Sequence, residues 1–242
     1  MEAHVLRQDV SSSCVSTLMN GTDLDLNDRI TPEEVDSLRD EHNLQSKKVV
    51  LYAGTFGRAN ALPLLIETAR GMAHRNDIHF AFLGEGYHAP LLQDAMQDLP
   101  NVGVYPPEPR HRIFRWFRLA SLSLVPFIDL PVLAANSPAK FFDSLAAGTP
   151  VLVTNPGWTK SFVEKYECGW YAPAHEPEDV IQGIERALSD PEAYDRACQN
   201  GKDVARRLFD RTRMAEKLET ILEQVVNGQS TMVNSRRSTV ND

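Results

Sequence analysis

Two stretches of the chain hold residue types that could contact a phosphate or a sugar. In Gly54-Thr55-Phe56-Gly57-Arg58, two glycines and an arginine fall within five residues. Glycines let a backbone come close to a phosphate, and a helix starting behind them would offer unpaired N–H groups and a positive dipole end. Arg58 could add a two-pronged contact to phosphate oxygens. A tight strand-to-helix turn with a solvated arginine fits the same residues. The second stretch is Asn136-Ser137-Pro138-Ala139-Lys140-Phe141-Phe142-Asp143. Ser137 suits a helix cap and Pro138 a first helical position, while Gly148 and Pro150 supply a stop. Lys140 and Asp143, three apart, share one side of such a helix. Lys140 could neutralise a phosphate. Asp143, acceptor-only when ionised, could take hydrogen bonds from the two hydroxyls of a ribose. A surface Lys–Asp pair worth a few tenths of a kcal/mol fits the same spacing.

Two further loops are less specific. Gly84-Glu85-Gly86 reads as a plain turn, and Pro106-Pro107-Glu108-Pro109-Arg110-His111 as a rigid edge against which a flat base could rest, or as a connector. The seven histidines include no HExxH pair, and the three cysteines (Cys14, Cys168, Cys198) form no CxxC. Zinc-knuckle and disulfide scaffolds are thereby excluded. Neither a GxSxG elbow nor a Walker GxxxxGK[ST] loop is present. No metal site is expected.

Positioning these loops requires strands. Short β-like runs at 47–53, 78–83, 102–105, 122–126, 151–154 and 169–172 alternate with helical spacing at 62–73, 88–97, 110–118, 138–147 and 157–166. From residue 176 the pattern is helical only, over 176–189, 191–208 and 210–226. Such alternation predicts an α/β protein: a doubly wound, Rossmann-like parallel sheet of about six strands, with ligands outside the carboxyl ends of the strands. Met214, Leu218, Ile221, Leu222 and Val225 form an apolar stripe at helical spacing. It fits packing on a partner or on its own domain, and the second is the simpler expectation. Residues 1–46 hold few apolar runs, and 227–242 are polar and aperiodic, predicting a disordered tail.

Composition sets the outer bounds. The chain has 242 residues, 42% hydrophobic and 24% charged, with 25 basic and 33 acidic side chains for a net charge of −8. A chain of this size can bury about 70–75% of its unfolded surface. The acidic balance excludes a general nucleic-acid binder, which needs a basic face. No apolar run reaches the roughly 18–20 residues that span a bilayer, and residues 1–14 lack the regions of a signal peptide. A cytoplasmic location is expected; membrane contact is left open.

Taken in order, these pieces resemble the carboxyl-terminal half of a GT-B-fold glycosyltransferase, of the family-four retaining sugar-nucleotide transferases of bacterial polysaccharide synthesis. LMNGTDLDLN (18–27) is similar to that family's linker between two domains, through Asn20, Gly21 and Asp23. VVLYAGTFGRANALPLLIETA (49–69) resembles the first strand, glycine-rich loop and helix of its donor domain, and FLGEGYHAPLL (82–92) the second-strand Gly-x-Gly. NSPAKFFDSLAAGTPVLVTNPGW (136–158), the most specific block, resembles the donor-site helix and its exit, and CGWYAP (168–173) the last strand.

The resemblance implies a domain over 47–226 that binds a nucleoside-diphosphate sugar, a UDP-sugar before others, with transfer to a sugar or lipid-linked acceptor. The implied contacts are Gly54, Gly57, Arg58, Asn136, Ser137, Pro138, Lys140 and Asp143. Asp143 stands at the second of two acidic positions and would hold the ribose; Ala135, eight residues earlier, leaves the first carboxylate absent. Amides around Asn136, Ser137 and Pro138 would face the sugar or phosphates. Arg58 lies near the family's diphosphate-binding arginine, and Ala59-Asn60 replace the lysine that often follows, with Lys140 as the substitute charge. No catalytic residue and no cofactor beyond the donor substrate are implied. Such enzymes run to about twice this length, with an acceptor-binding amino-terminal domain. Residues 1–46 then read as residual linker, and a separate amino-terminal half is the expected partner. The alternatives are a donor-binding subunit of a split transferase, an inactive truncated remnant or, more distantly, a sugar-nucleotide epimerase of similar fold.

Overall fold

A computed structural model of the chain describes residues 15–238. The remaining residues, with Cys14 and the start of the expected linker, lie outside the described part. Six strands form one parallel sheet: β1 (Lys48–Ala53), β2 (Ile78–Leu83), β3 (Val102–Tyr105), β4 (Leu122–Val125), β5 (Val151–Val153) and β6 (Gly169–Tyr171). Their spatial order is β3-β2-β1-β4-β5-β6, so the chain reverses direction across the sheet between β1 and β4. Each strand sits close to where its apolar run predicts.

Apolar runs on both faces are what a parallel sheet covered by helices on each side requires. Val49, Leu51 and Ala53 of β1 point into one core with Leu83, Val125, Val151 and Val153. Val50 and Tyr52 point into the other with Phe80, Phe82, Leu124 and Leu152. This alternation follows from the period of two along a strand. Helices α3 (Leu62–Gly71), α4 (Ala89–Asp98) and α8 (Pro177–Ser189) cover the second face. Helices α5 (Ile113–Leu119), α6 (Ala139–Ala147) and α7 (Trp158–Tyr166), with α9 (Pro191–Leu208), cover the first.

Three expectations are corrected. First, the segment read as residual linker is structured from residue 22 onward. It forms α1 (Leu24–Asp28) and α2 (Pro32–Glu41), and Ile30, Leu38 and Leu44 enter the core. The local cause is a capping box: Thr31 accepts from the Glu34 amide, and the Glu34 carboxylate accepts from the Thr31 amide at 2.9 Å. Second, the last helix, α10 (Arg211–Ser238), runs past residue 227, where a disordered tail was predicted. Extending a nucleated helix adds one hydrogen bond per residue without the cost of a new first turn. Third, much of the apolar stripe of α10 is left uncovered among the described residues, with Met214 and Ile221 half-buried. Leu218, Leu222 and Val225 are exposed at 43%, 55% and 52%. None of the helices among the described residues is long and apolar enough to cross a membrane.

Candidate functional site

The chain reversal between β1 and β4 opens a crevice at the carboxyl edge of the sheet, where ligands of doubly wound folds bind. A cavity of about 360 Å³ lies there. Its lining includes Gly54 after β1, Phe127 after β4, Arg110 from the loop after β3, and Asn136, Pro138, Lys140 and Asp143 at the start of α6. A second cavity of about 590 Å³ shares Gly54, Thr55 and Ile113 with it and extends along Gly84, Glu85, Pro107 and Glu108. Cavities of these sizes suit a small organic ligand.

The β1 loop can make this wall because its glycines allow close packing. Gly54, Gly84 and Gly86 all have positive φ. A Cβ on Gly84 would overlap the Gly54 carbonyl, so the turns after β1 and β2 interlock through bare backbone. The Phe56 amide donates to Glu85 O at 2.7 Å, and the His88 amide to Phe56 O at 2.9 Å.

Helix α6 is anchored before it reaches the cavity. Ser144 Oγ lies 2.7 Å from Ser123 Oγ of β4 and donates to Lys140 O at 2.6 Å. Asn27 Nδ2 donates to Ala146 O at 3.0 Å. Gly148, at φ +77°, ends the helix as its sequence predicts. The start differs from expectation. Pro138 takes the cap position without a side-chain bond, and the Ser137 hydroxyl is buried without a partner among the described residues. Asn136 turns the chain instead, its Oδ1 accepting from the Ser137 amide at 2.9 Å.

Lys140 and Asp143 do not pair with each other. The Lys140 ammonium lies 3.8 Å from the centre of the Tyr52 ring, beside Gly54, and among the described residues no carboxylate is within ion-pair distance. Burial pushes its pKa down to about 7, so near neutrality a share of the side chain is the neutral amine, poised to gain a proton when an anion arrives. Asp143 is buried. Its Oδ1 accepts from Thr22 Oγ1 at 2.7 Å and from Arg110 Nη2 at 2.8 Å, and its Oδ2 from Arg110 Nη1 at 2.5 Å. Arg110 Nε donates to Asp23 Oδ2 at 2.8 Å, and Asp23 Oδ1 pairs with Arg211 Nε at 3.0 Å. Burial disfavours the charged guanidinium of Arg110, but Asp143 and Asp23 outweigh it and hold its pKa above the ordinary value.

Of the eight residues singled out from the sequence, Gly54, Asn136, Pro138, Lys140 and Asp143 therefore meet at one cavity. The other three do not line it. Arg58 begins a short 3-10 turn that directs it outward, and its guanidinium stacks 4.0 Å from the Tyr87 ring centre. Gly57 faces Asn60. Ser137 lines a neighbouring apolar cavity of about 670 Å³ with Asn20, Ala134 and Trp158. The residue missed is Arg110, whose proline-rich loop was legible as an edge but not as the partner of Asp143. Asn60, whose side chain closes the β1 loop on Thr55 O at 3.0 Å, was missed as well.

Comparison with known proteins bears on this geometry. The sequence model for glycosyl transferases group 1 matches residues 34–204. YtcC of Bacillus subtilis (strain 168), named as a glycosyltransferase, is 24% identical over 204 residues, covering 78% of this chain and 48% of the relative. Anabaena Alr3699/HepE, solved in complex with UDP and glucose, superposes with a TM-score of 0.76 at 14% identity, covering 92% of this chain and 60% of that one. The carboxyl-terminal domain of a glycosyl transferase group 1 family protein (LpcC) from Francisella tularensis is covered over its whole length by 79% of this chain, with a TM-score of 0.63 at 13% identity. The chain spans less than half the length of the curated relatives it matches.

Proposed function

The chain belongs to the glycosyl transferases group 1 family, and from that premise we propose that it is the donor-binding half of a retaining GT-B transferase, holding a nucleoside-diphosphate sugar, a UDP-sugar first among them. The observation that carries the reading is the site of the cavity. It sits at the reversal between β1 and β4, with a lysine on its wall that has no carboxylate partner among the described residues. The similarity to a protein solved with UDP and glucose supports uracil as the base.

In this reading Asp143 accepts from the ribose, and Asn136 and Pro138 edge the sugar. Lys140 and the first-turn amides of α6 stabilise the departing diphosphate. Arg58 lies outside the cavity, against the face of the Tyr87 ring. Transfer goes to a sugar or lipid-linked acceptor held by an amino-terminal half, in the cytoplasm. A second reading, that this chain is one subunit of a split transferase, is favoured by the open apolar face of α10.

Thermal unfolding with UDP, GDP and NAD tests the donor site. Ligand at about 100 times its Kd adds about 2.7 kcal/mol, or several degrees at about 2–4 °C per kcal/mol for a domain of this size. A shift with UDP and none with NAD is expected. A cooperative melt that no nucleotide moves would count against a working donor site in this chain alone.

A further inference from the structure

The hydrogen-bond count on Asp143 leads further, on the reading of this cavity as a nucleotide-sugar site. A carboxylate offers about four lone-pair sites. Thr22 Oγ1 and Arg110 Nη2 take two on Oδ1, and Arg110 Nη1 takes one on Oδ2. One site is open, and a ribose presenting two neighbouring hydroxyls needs two. One of the present donors must therefore leave.

Thr22 is held on both sides. It is fully buried, its amide donates to Phe209 O at 2.8 Å, and its carbonyl accepts from the Arg211 amide at 3.0 Å. Arg110 is free to step back. Its side chain is 37% exposed, and a separate bond from Nε to Asp23 would keep it tethered. A guanidinium edge and a vicinal diol present the same pair of parallel donors to a carboxylate, so one can stand where the other stands.

We propose that Arg110 occupies the ribose position of Asp143 in the unliganded protein and that the donor's vicinal hydroxyls displace it. Asp23 retains the displaced guanidinium at the cavity wall. The step exchanges one set of hydrogen bonds for another and makes or breaks no covalent bond. Because Asp23 also pairs with Arg211 at the start of α10, the exchange links occupancy of the donor site to residues 21–23 and to the last helix.

The test is calorimetry on the full chain at neutral pH, with UDP and 2′,3′-dideoxy-UDP as probes. Wild type is expected to bind both with a small preference for UDP, because the hydroxyls gain what the arginine loses. R110K keeps a charge but not the fork, so its preference for UDP should rise by about fivefold or more. D23N removes the tether for the displaced guanidinium and leaves Asp143 as its one carboxylate partner among the described residues, so the preference for UDP should fall. An unchanged or smaller preference in R110K, with both probes still bound, overturns the exchange while leaving the donor site standing. Failure of wild type to bind either probe overturns the donor site and the exchange together. If R110K does not melt cooperatively, D23N decides: a lowered preference supports the exchange and an unchanged or raised one overturns it.

Discussion

Helices α6 and α10 both carry an apolar stripe at helical spacing, yet the fold uses them oppositely. In α6 six consecutive residues, Phe141 to Ala146, are buried, and the polar ones among them, Asp143 and Ser144, are hydrogen-bonded. In α10 Leu218, Leu222 and Val225 stay exposed, and the helix meets the domain mainly through its first residues, where Arg211 holds Asp23 and Gly21. Periodicity shows that a helix has an apolar face; it does not show what covers that face. The difference leaves α6 lining a cavity inside this chain and α10 with much of its apolar face uncovered among the described residues.

The contrast breaks most severely at Asp143. D143A removes the carboxylate that Arg110 and Thr22 share. Breaking a buried charge pair costs about 3–5 kcal/mol, but Arg110 is more than a third exposed and keeps Asp23, so a loss of about 2–3 kcal/mol is expected. That is a fall in Tm of several degrees. Because the ribose hydroxyls gain what Arg110 gives up, UDP affinity should drop only by the few-fold margin that wild type shows for UDP over 2′,3′-dideoxy-UDP, and uridine affinity with it. Equal uridine binding by D143A and wild type would remove Asp143 from the site.

How much of this was legible in the sequence follows from the range of each interaction. The strands of the sheet are local, and their alternating burial needs only the residues themselves, as in Val49, Val50, Leu51 and Tyr52. Gly148 as a helix stop is local too. The capping box at Thr31 and Glu34 was equally local but lay inside a charged run that masked it. Arg110 and Asp143 are 33 residues apart, and Thr22 and Asp143 are 121 apart, so no spacing rule could pair them. Arg58 lies off the cavity for a different reason. Its place in the loop was right, but its direction is set by the 3-10 turn it begins, which residue types did not signal.

Lys140 sharpens the comparison next, because burial at the cavity wall depresses its pKa. Its charged form costs stability fully below about pH 7, and the cost is relieved as pH rises toward 10.5, the ordinary lysine value. Wild type should therefore gain stability over that window and K140M should not, as melts in a pH series would show. A bound diphosphate favours the protonated form, so UDP binding at pH values just above 7 should take up a proton and weaken as pH rises. Calorimetry in buffers of different ionisation heat measures that uptake. K140M should lose it, and should lose about tenfold in UDP affinity with little change for uridine. A pH-independent UDP affinity in wild type would place the ammonium away from the phosphates.

The smallest effect is expected where α10 lies open. Leu145, buried in α6, should cost about 2–5 kcal/mol when cut to alanine. L218S and L222S should each change the Tm of the isolated chain by no more than about 0.5 kcal/mol allows, since the side chains are already exposed and the residual cost is helix propensity. This asymmetry separates two origins for an apolar stripe. If the stripe serves this chain's own stability, serine at Leu222 will behave like alanine at Leu145, and the contrast between the helices collapses. If it serves a surface outside the chain, the melts will barely move. Association with an acceptor-binding half, followed by sedimentation, will then be the property that L218S and L222S together abolish. The domain's own fold would be satisfied without that face, so the stripe would belong to the sequence for what it touches elsewhere.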